Sequence, residues 1–473
     1  MKNLNICIIV IKIWLTGFSA FGAGPLESGI LASNVADTEI QSCNDNQLRL
    51  LRTVRANNRI EVERLVSSGI PLNYSCRFLS RDPERQKFAS PLEVAIFYSR
   101  IDIAQFLIDE GAQVDYCSGR LCFRAIHRAI QSNNLDSLLF IISAGAIPTN
   151  SVQDALSPVA LATKLRQLSF VKHLVSLGAD PNLALESAVW NNDFDSASFL
   201  LDEGADPNHD SALFIAMLAG HDEMAVFLLN RGADPNADWT NAPALSFAIA
   251  NVHSLEKTIR ALIDHGADVN AIPTEDHMLP PLHTAARGLH RNEHGFVLPL
   301  LLEKGANPFL VDQFGFLPLE LASRFLQYEK IAIFVTSHKY PMKVLRNSAY
   351  HVLRNRNEYE ILKLQSLRTL FEGAGFTPDF ELFGEPSPLK LALIGGYYSI
   401  AEMLLDEFGA SIEFGEFHSP VGIMAMRDDV KSAIFLLERG ADACLEKSGI
   451  TPFDHAVNNS VGKMFRDRGI ACN

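Results

Sequence analysis

The sequence predicts an all-α solenoid of stacked helix pairs with short β-hairpin fingers, and three observations carry that prediction. The pentapeptide Gly-Ala-Asp-Pro-Asn stands at 178–182, 204–208 and 232–236, and Gly69, Gly111, Gly145, Gly266, Gly305, Gly409 and Gly440 continue the series. An apolar-periodic run precedes most of these glycines, as in "IAQFLIDEG", "VKHLVSLG", "MAVFLLNRG" and "AIFLLERG". A proline-led run recurs upstream of them. A catalytic motif normally appears once, whereas a period of about 33 residues marks small supersecondary units stacked in series.

Each element of the unit has a local cause. The leucine-rich run reads as a helix with its apolar side chains on one face, and the glycine supplies the left-handed residue that ends it. Asp caps the turn locally, Pro fixes φ, and Asn tolerates positive φ, so the pentapeptide ends a helix and begins a finger. The upstream runs are "SPLEVAI" (90–96), "SPVALAT" (157–163), "PPLHTAA" (280–286), "LPLELAS" (317–323), "SPLKLAL" (387–393) and "TPFDHAV" (451–457). Ser or Thr before Pro provides an N-cap with proline in the first turn, and the small alanine lets the paired helix approach.

These two motifs, recurring in phase, resemble the ankyrin repeat family, whose T-P-L-H-x-A-A pattern precedes G-A-D-x-N. The likeness spans about residues 46 to 472 and implies an ankyrin-repeat solenoid of helix–turn–helix units with fingers along one edge. The expected organisation is a signal peptide (1–22), a lead-in (23–45), a main array (46–323), two degenerate helical repeats (324–386) and C-terminal repeats with a cap (387–473). The spacings that end at Gly204 and Gly232 leave almost no room for fingers, which predicts a shallow notch there. Polar stretches at the two ends, "NDNQLRLLRTVRANN" and "VGKMFRDRGIACN", read as caps for the open faces of the stack.

Composition restricts the function classes. The chain has 473 residues with 55 acidic and 41 basic side chains, a formal net charge of −14. That balance argues against nucleic acid, whose capture rests on Lys and Arg neutralising phosphates, and favours a basic protein partner. At the N-terminus Lys2 precedes an apolar run from Ile6 to Leu15, and Ala20 and Gly22 fit a signal-peptidase site. The run is short of the roughly 20 apolar residues that a membrane span needs, so the reading is export to the periplasm or beyond, with no stable membrane insertion after the signal is removed. Beyond the signal lie Cys43, Cys76, Cys117, Cys122, Cys444 and Cys472. Their spacing predicts Cys117 with Cys122 across a turn, and the other two pairs as staples on the first and last repeats.

Phosphate-loop, nucleophile-elbow and H-E-x-x-H motifs are absent from the sequence, so no enzyme, no cofactor and no catalytic residue is expected. The histidines His277, His283, His290 and His294 form the one suggestive group. His283 occupies a structural position of the repeat motif, and no metal site is assigned. The resemblance implies protein binding through the concave face. The candidates at variable positions there are Phe97, Tyr98, Lys164, Trp190, Asn191, Leu218, Asp238, Trp239, Asp276, Phe309 and Phe314. Compact "GADPN" repeats behind a signal are further similar to envelope ankyrin proteins, some of which are immunity proteins of secreted phospholipase effectors. That role is the expectation here. The alternatives are a secreted effector that engages host proteins and, more weakly, a metal-dependent enzyme using the His277–His294 group.

Overall fold

The computed structural model describes residues 43–78, 87–117, 123–149, 157–239, 242–251, 255–273, 278–288, 295–355, 359–379, 386–413 and 418–472. The signal, the first part of the lead-in, Cys122, Asp276, His277, His290 and His294 lie outside them, as do the side chains of Asp238 and Trp239. Thirteen helix pairs occur among the described residues. The chain divides into two units, 1–120 and 121–473, a boundary that the sequence had not suggested.

The first unit holds repeat 1 (Asp45–Arg55 with Arg59–Ser67) and repeat 2 (Pro91–Phe97 with Ile101–Asp109). A two-stranded antiparallel finger, Cys76–Phe78 with Lys87–Ala89, lies between them. The second unit opens with repeat 3 (Ala125–Gln131, Leu135–Ser143) and repeat 4 (Pro158–Lys164, Leu168–Ser176). Repeat 5 (Asn182–Trp190, Phe194–Asp202), repeat 6 (Ala212–Leu218, Asp222–Asn230) and repeat 7 (Ala244–Ala250, Glu256–Asp264) follow. Then come repeat 8 (Pro281–Arg287, Val297–Glu303), repeat 9 (Pro318–Arg324, Tyr328–Ser337) and repeat 10 (Met342–Arg354, Glu360–Ala374). The last three begin at Pro388, Pro420 and Pro452.

Most first helices have seven residues and most second helices nine. Helices this short are marginal alone and persist because each buries an apolar face against its neighbours. Ser90, Ser157, Ser387 and Ser419 cap first helices, each hydroxyl oxygen accepting the backbone N–H three residues on. The repeat glycines have positive φ, Gly178 at 90° and Gly204 at 94° among them, as the end of a helix requires. A second left-handed residue stands in the turn inside each of many pairs: Asn57, Ser99, Asn133, Arg166, Asn192, Leu326 and Asp428.

The finger edge of the second unit is tied across repeats by its asparagines. The side-chain oxygen of Asn182 accepts the Asp206 N–H at 2.8 Å, that of Asn208 accepts Asp234 at 2.7 Å, and that of Asn236 accepts Asp268 at 2.7 Å. Asn270 continues the row to Asn307 at 2.7 Å. Each aspartate also accepts the N–H two residues on, as Asp206 does from Asn208 at 2.9 Å. The motif residue Asn therefore couples neighbouring repeats, beyond shaping its own turn.

One detail differs from the sequence reading, and another agrees with it. The segment 324–386, where the sequence predicts two degenerate repeats, contains the second helix of repeat 9 and then one pair, repeat 10, with long helices of 13 and 15 residues. Fingers are indeed missing where the short spacings predict. Asn182 is already helical directly after Gly-Ala-Asp-Pro, and only a short 3₁₀ turn at His209–Ser211 precedes repeat 6.

Cysteine pairing follows the expectation for the first and last repeats. Cys43 bonds Cys76 with Cα atoms 5.7 Å apart, and Cys444 bonds Cys472 at 5.3 Å. Cys117 is also disulfide-bonded. Among the described residues no helix is long and apolar enough to cross a membrane.

Candidate protein-binding surface

Among the first helices of repeats 2 to 9, that of repeat 5 is the most open. In repeats 2, 3, 4, 6, 8, 9 and 12 the first six residues of the first helix are all buried. In repeat 5, Leu183, Glu186 and Ser187 are half-buried and Trp190 is 47% exposed. Positions 183, 186, 187 and 190 recur at three- and four-residue steps, so they share one helix face. This helix directly follows Gly-Ala-Asp-Pro and has nine residues, two more than most first helices.

Lys164, Trp190, Asn191 and Leu218 come together at the same end of three successive first helices, those of repeats 4, 5 and 6, which pack side by side. Lys164 is exposed and Leu218 half-buried. Asn191 has a structural part as well: its side-chain N–H donates to the carbonyls of Thr163 at 3.3 Å and Lys164 at 3.1 Å. The imidazole Nε2 of His221 lies 3.0 Å from the Trp190 carbonyl oxygen, which fixes that helix end to repeat 6.

The remaining candidates are distributed elsewhere. Phe97 and Tyr98, in the first unit, contact each other edge-on at 5.1 Å, and the Arg55 guanidinium lies 5.3 Å from the Tyr98 ring. Phe309 and Phe314 belong to the finger ahead of repeat 9 and are 45% and 58% exposed. That finger is shaped by Asp312, whose carboxylate accepts the N–H groups of Phe314 at 2.9 Å and Phe316 at 2.8 Å. Phe309 also packs on Tyr340 at 5.2 Å, so part of its ring is a packing surface. Asp238 and Trp239 form a strand paired with Ala242–Pro243.

Sequence reasoning missed Glu186 and Asp210. The helical spacing of Glu186 to Trp190 was the signal available for the first. Nothing local marked the second. Glu186 is held above the ordinary carboxylate range by its burial and by the like charge of Asp210, while His209 acts the other way. His209 Nδ1 lies 3.1 Å from the Asp210 carboxylate.

The histidine at the motif position is structural. His283 is fully buried, and its Nε2–H donates to the Phe316 carbonyl at 3.0 Å. Burial pushes its pKa below 6.5, and burial does the same to His351, whose ring meets Phe316 edge-on at 5.5 Å. Among the described residues no group of three or more His, Cys, Asp or Glu is placed to hold a metal.

These histidines give a pH prediction. Their folded pKa values lie below the unfolded value, so the unfolded chain binds more protons as pH falls through about 6.5. Their stabilising effect is therefore present above that value and lost below it. Glu186, with a raised pKa, acts in the opposite sense at lower pH. The thermal midpoint should fall between pH 7.5 and 5.5, and fall less in His283→Gln. An equal drop in that variant would remove His283 from the account.

Comparison with known proteins locates the fold. Residues 185–272 match a family model described as ankyrin repeats, three copies. No curated protein matches the chain. A matching solved structure is the human ASB11 ankyrin repeat domain, at 18% identity and a TM-score of 0.37, covering 46% of this chain and 98% of that one. Ankyrin repeats are protein–protein interaction scaffolds. The helix pairs make the described residues an all-α repeat solenoid, and residues 185–272 of it match ankyrin repeats.

Proposed function

We propose that this chain is an exported ankyrin-repeat scaffold that binds a protein partner through its first helices and fingers. In this reading it is a periplasmic immunity protein that blocks a toxic secreted enzyme, such as a phospholipase effector. The observation that carries the binding surface is the exposed face of repeat 5 ending in Trp190. Exposed aromatics among packed repeats are the residue type that forms interface anchors. Export is supported by the disulfides on the first and last repeats, since such bonds persist in oxidising compartments.

The test is fractionation of native cells, followed by cross-linking and mass spectrometry of the periplasmic pool. A secreted hydrolase cross-linked to this chain, and inhibited by it, is the expected result. Cytosolic material with free thiols would overturn export, and recovery from the medium bound to host proteins would favour an effector. Trp190→Ala should weaken capture of that partner by about 2 kcal/mol, roughly thirtyfold. Its thermal midpoint should barely move, because the ring is half exposed. Normal capture would place the anchor elsewhere.

A further inference from the structure

The charge of this protein is concentrated in repeats 5 and 6. From Gly178 to Asn230 the chain has ten aspartates and glutamates and neither lysine nor arginine. Those residues hold −10 of the net −14. On the second-helix side, Asp202 and Glu223 are neutralised by Arg231 at 2.7 Å and Lys257 at 2.5 Å. On the first-helix side, neither Glu186 nor Asp210 meets a lysine or arginine among the described residues. The same two repeats lack fingers, and repeat 5 leaves Leu183 half-buried and Trp190 exposed on the helix that holds Glu186 and contacts the His209–Ser211 turn.

Building on the protein-binding reading above, we infer that repeats 5 and 6 dock a cationic segment of the partner, with Trp190 as apolar anchor and Glu186 and Asp210 receiving a lysine or arginine. Three features coincide at one place. The first helix of repeat 5 leaves Leu183, Glu186, Ser187 and Trp190 accessible along one face, and a chain segment can lie along that face where the first helices of repeats 4 and 6, buried over their first six residues, offer none. Its aromatic end gives that segment apolar surface to bury. Glu186 and Asp210 repel each other across neighbouring repeats, with only His209 as local relief, and a cation between them converts that repulsion into attraction. Lys164 and Arg166 stand at the turn end of the surface, so the segment's positive charge belongs at the finger end.

The full-length protein is titrated into a fluorescein-labelled peptide of about twelve residues that combines lysine, arginine and leucine, with a glutamate-for-cation peptide as comparison. Anisotropy should rise saturably for the basic peptide and stay flat for the acidic one. Glu186→Gln with Asp210→Asn, nearly isosteric changes that keep the fold, should weaken the basic peptide about tenfold. Asp195→Asn with Glu203→Gln removes the same charge from the exposed second-helix side and should change affinity less than twofold. Equal weakening by both pairs would show unspecific attraction and overturn the site, as would absence of saturable binding. If Glu186→Gln with Asp210→Asn leaves capture of the native partner unchanged, the docking site is refuted while the scaffold reading stands.

Discussion

Phe334→Ala is expected to cost about 3–5 kcal/mol, the usual range for emptying a buried aromatic site, and to split denaturant unfolding of the second unit into two transitions. Phe334 is fully buried in the second helix of repeat 9. Its helix packs against Glu360–Ala374 of repeat 10, and its ring meets Tyr340 edge-on at 6.5 Å. This junction lacks the Gly-Ala-Asp turn and its asparagine tie, so apolar packing carries the coupling. The approach is also close: a Cβ placed on Gly373 would collide with a Val335 methyl, so the facing helix has no room to shift inward. Stability in a repeat stack is approximately a sum of repeat and nearest-neighbour interface terms. Weakening one interface should therefore let the two sides unfold separately. Urea titration followed by circular dichroism tests this, and a single transition with an unchanged midpoint would rule it out.

Breaking the C-terminal staple should have a comparable effect at one end. Cys444 and Cys472 close a loop of 28 residues around the last repeat, for which loop entropy gives about 3.5 kcal/mol. That repeat, Pro452–Ala456 with Ser460–Asp467, has a neighbour on one side only, and its first helix has five residues. Cys444→Ser with Cys472→Ser should accelerate amide exchange across 452–467 by orders of magnitude while the helices of repeats 6 to 8 keep their protection. Reductant should do the same to the unaltered protein. Unchanged exchange in 452–467 would mean that packing of Val461 and Phe465, both fully buried, suffices alone.

The repeat architecture was legible because its causes are local. A left-handed glycine, a Ser-Pro cap and a leucine stripe act within one helix turn, so their recurrence predicts the units without knowledge of the neighbours. Spacing alone also indicated the missing fingers before repeats 5 and 6 and the disulfides on the first and last repeats. Long-range packing set what depends on residues far apart in the chain. It gave repeat 10 one long helix pair where short repeats were expected, because no turn motif interrupts those helices. It buried Lys363 completely, with its ammonium 2.5 Å from the Tyr397 hydroxyl of the next repeat, although a lysine in "EILKLQSL" reads as solvated. It assigned Asn191 to backbone carbonyls of repeat 4 and Phe309 partly to Tyr340. It brought Glu186 and Asp210 close enough to shift a pKa, though they lie on different repeats. Local chemistry settled which segments form helices and where each stops. Which faces are covered was left to packing, because burial is a property of the neighbour as much as of the residue.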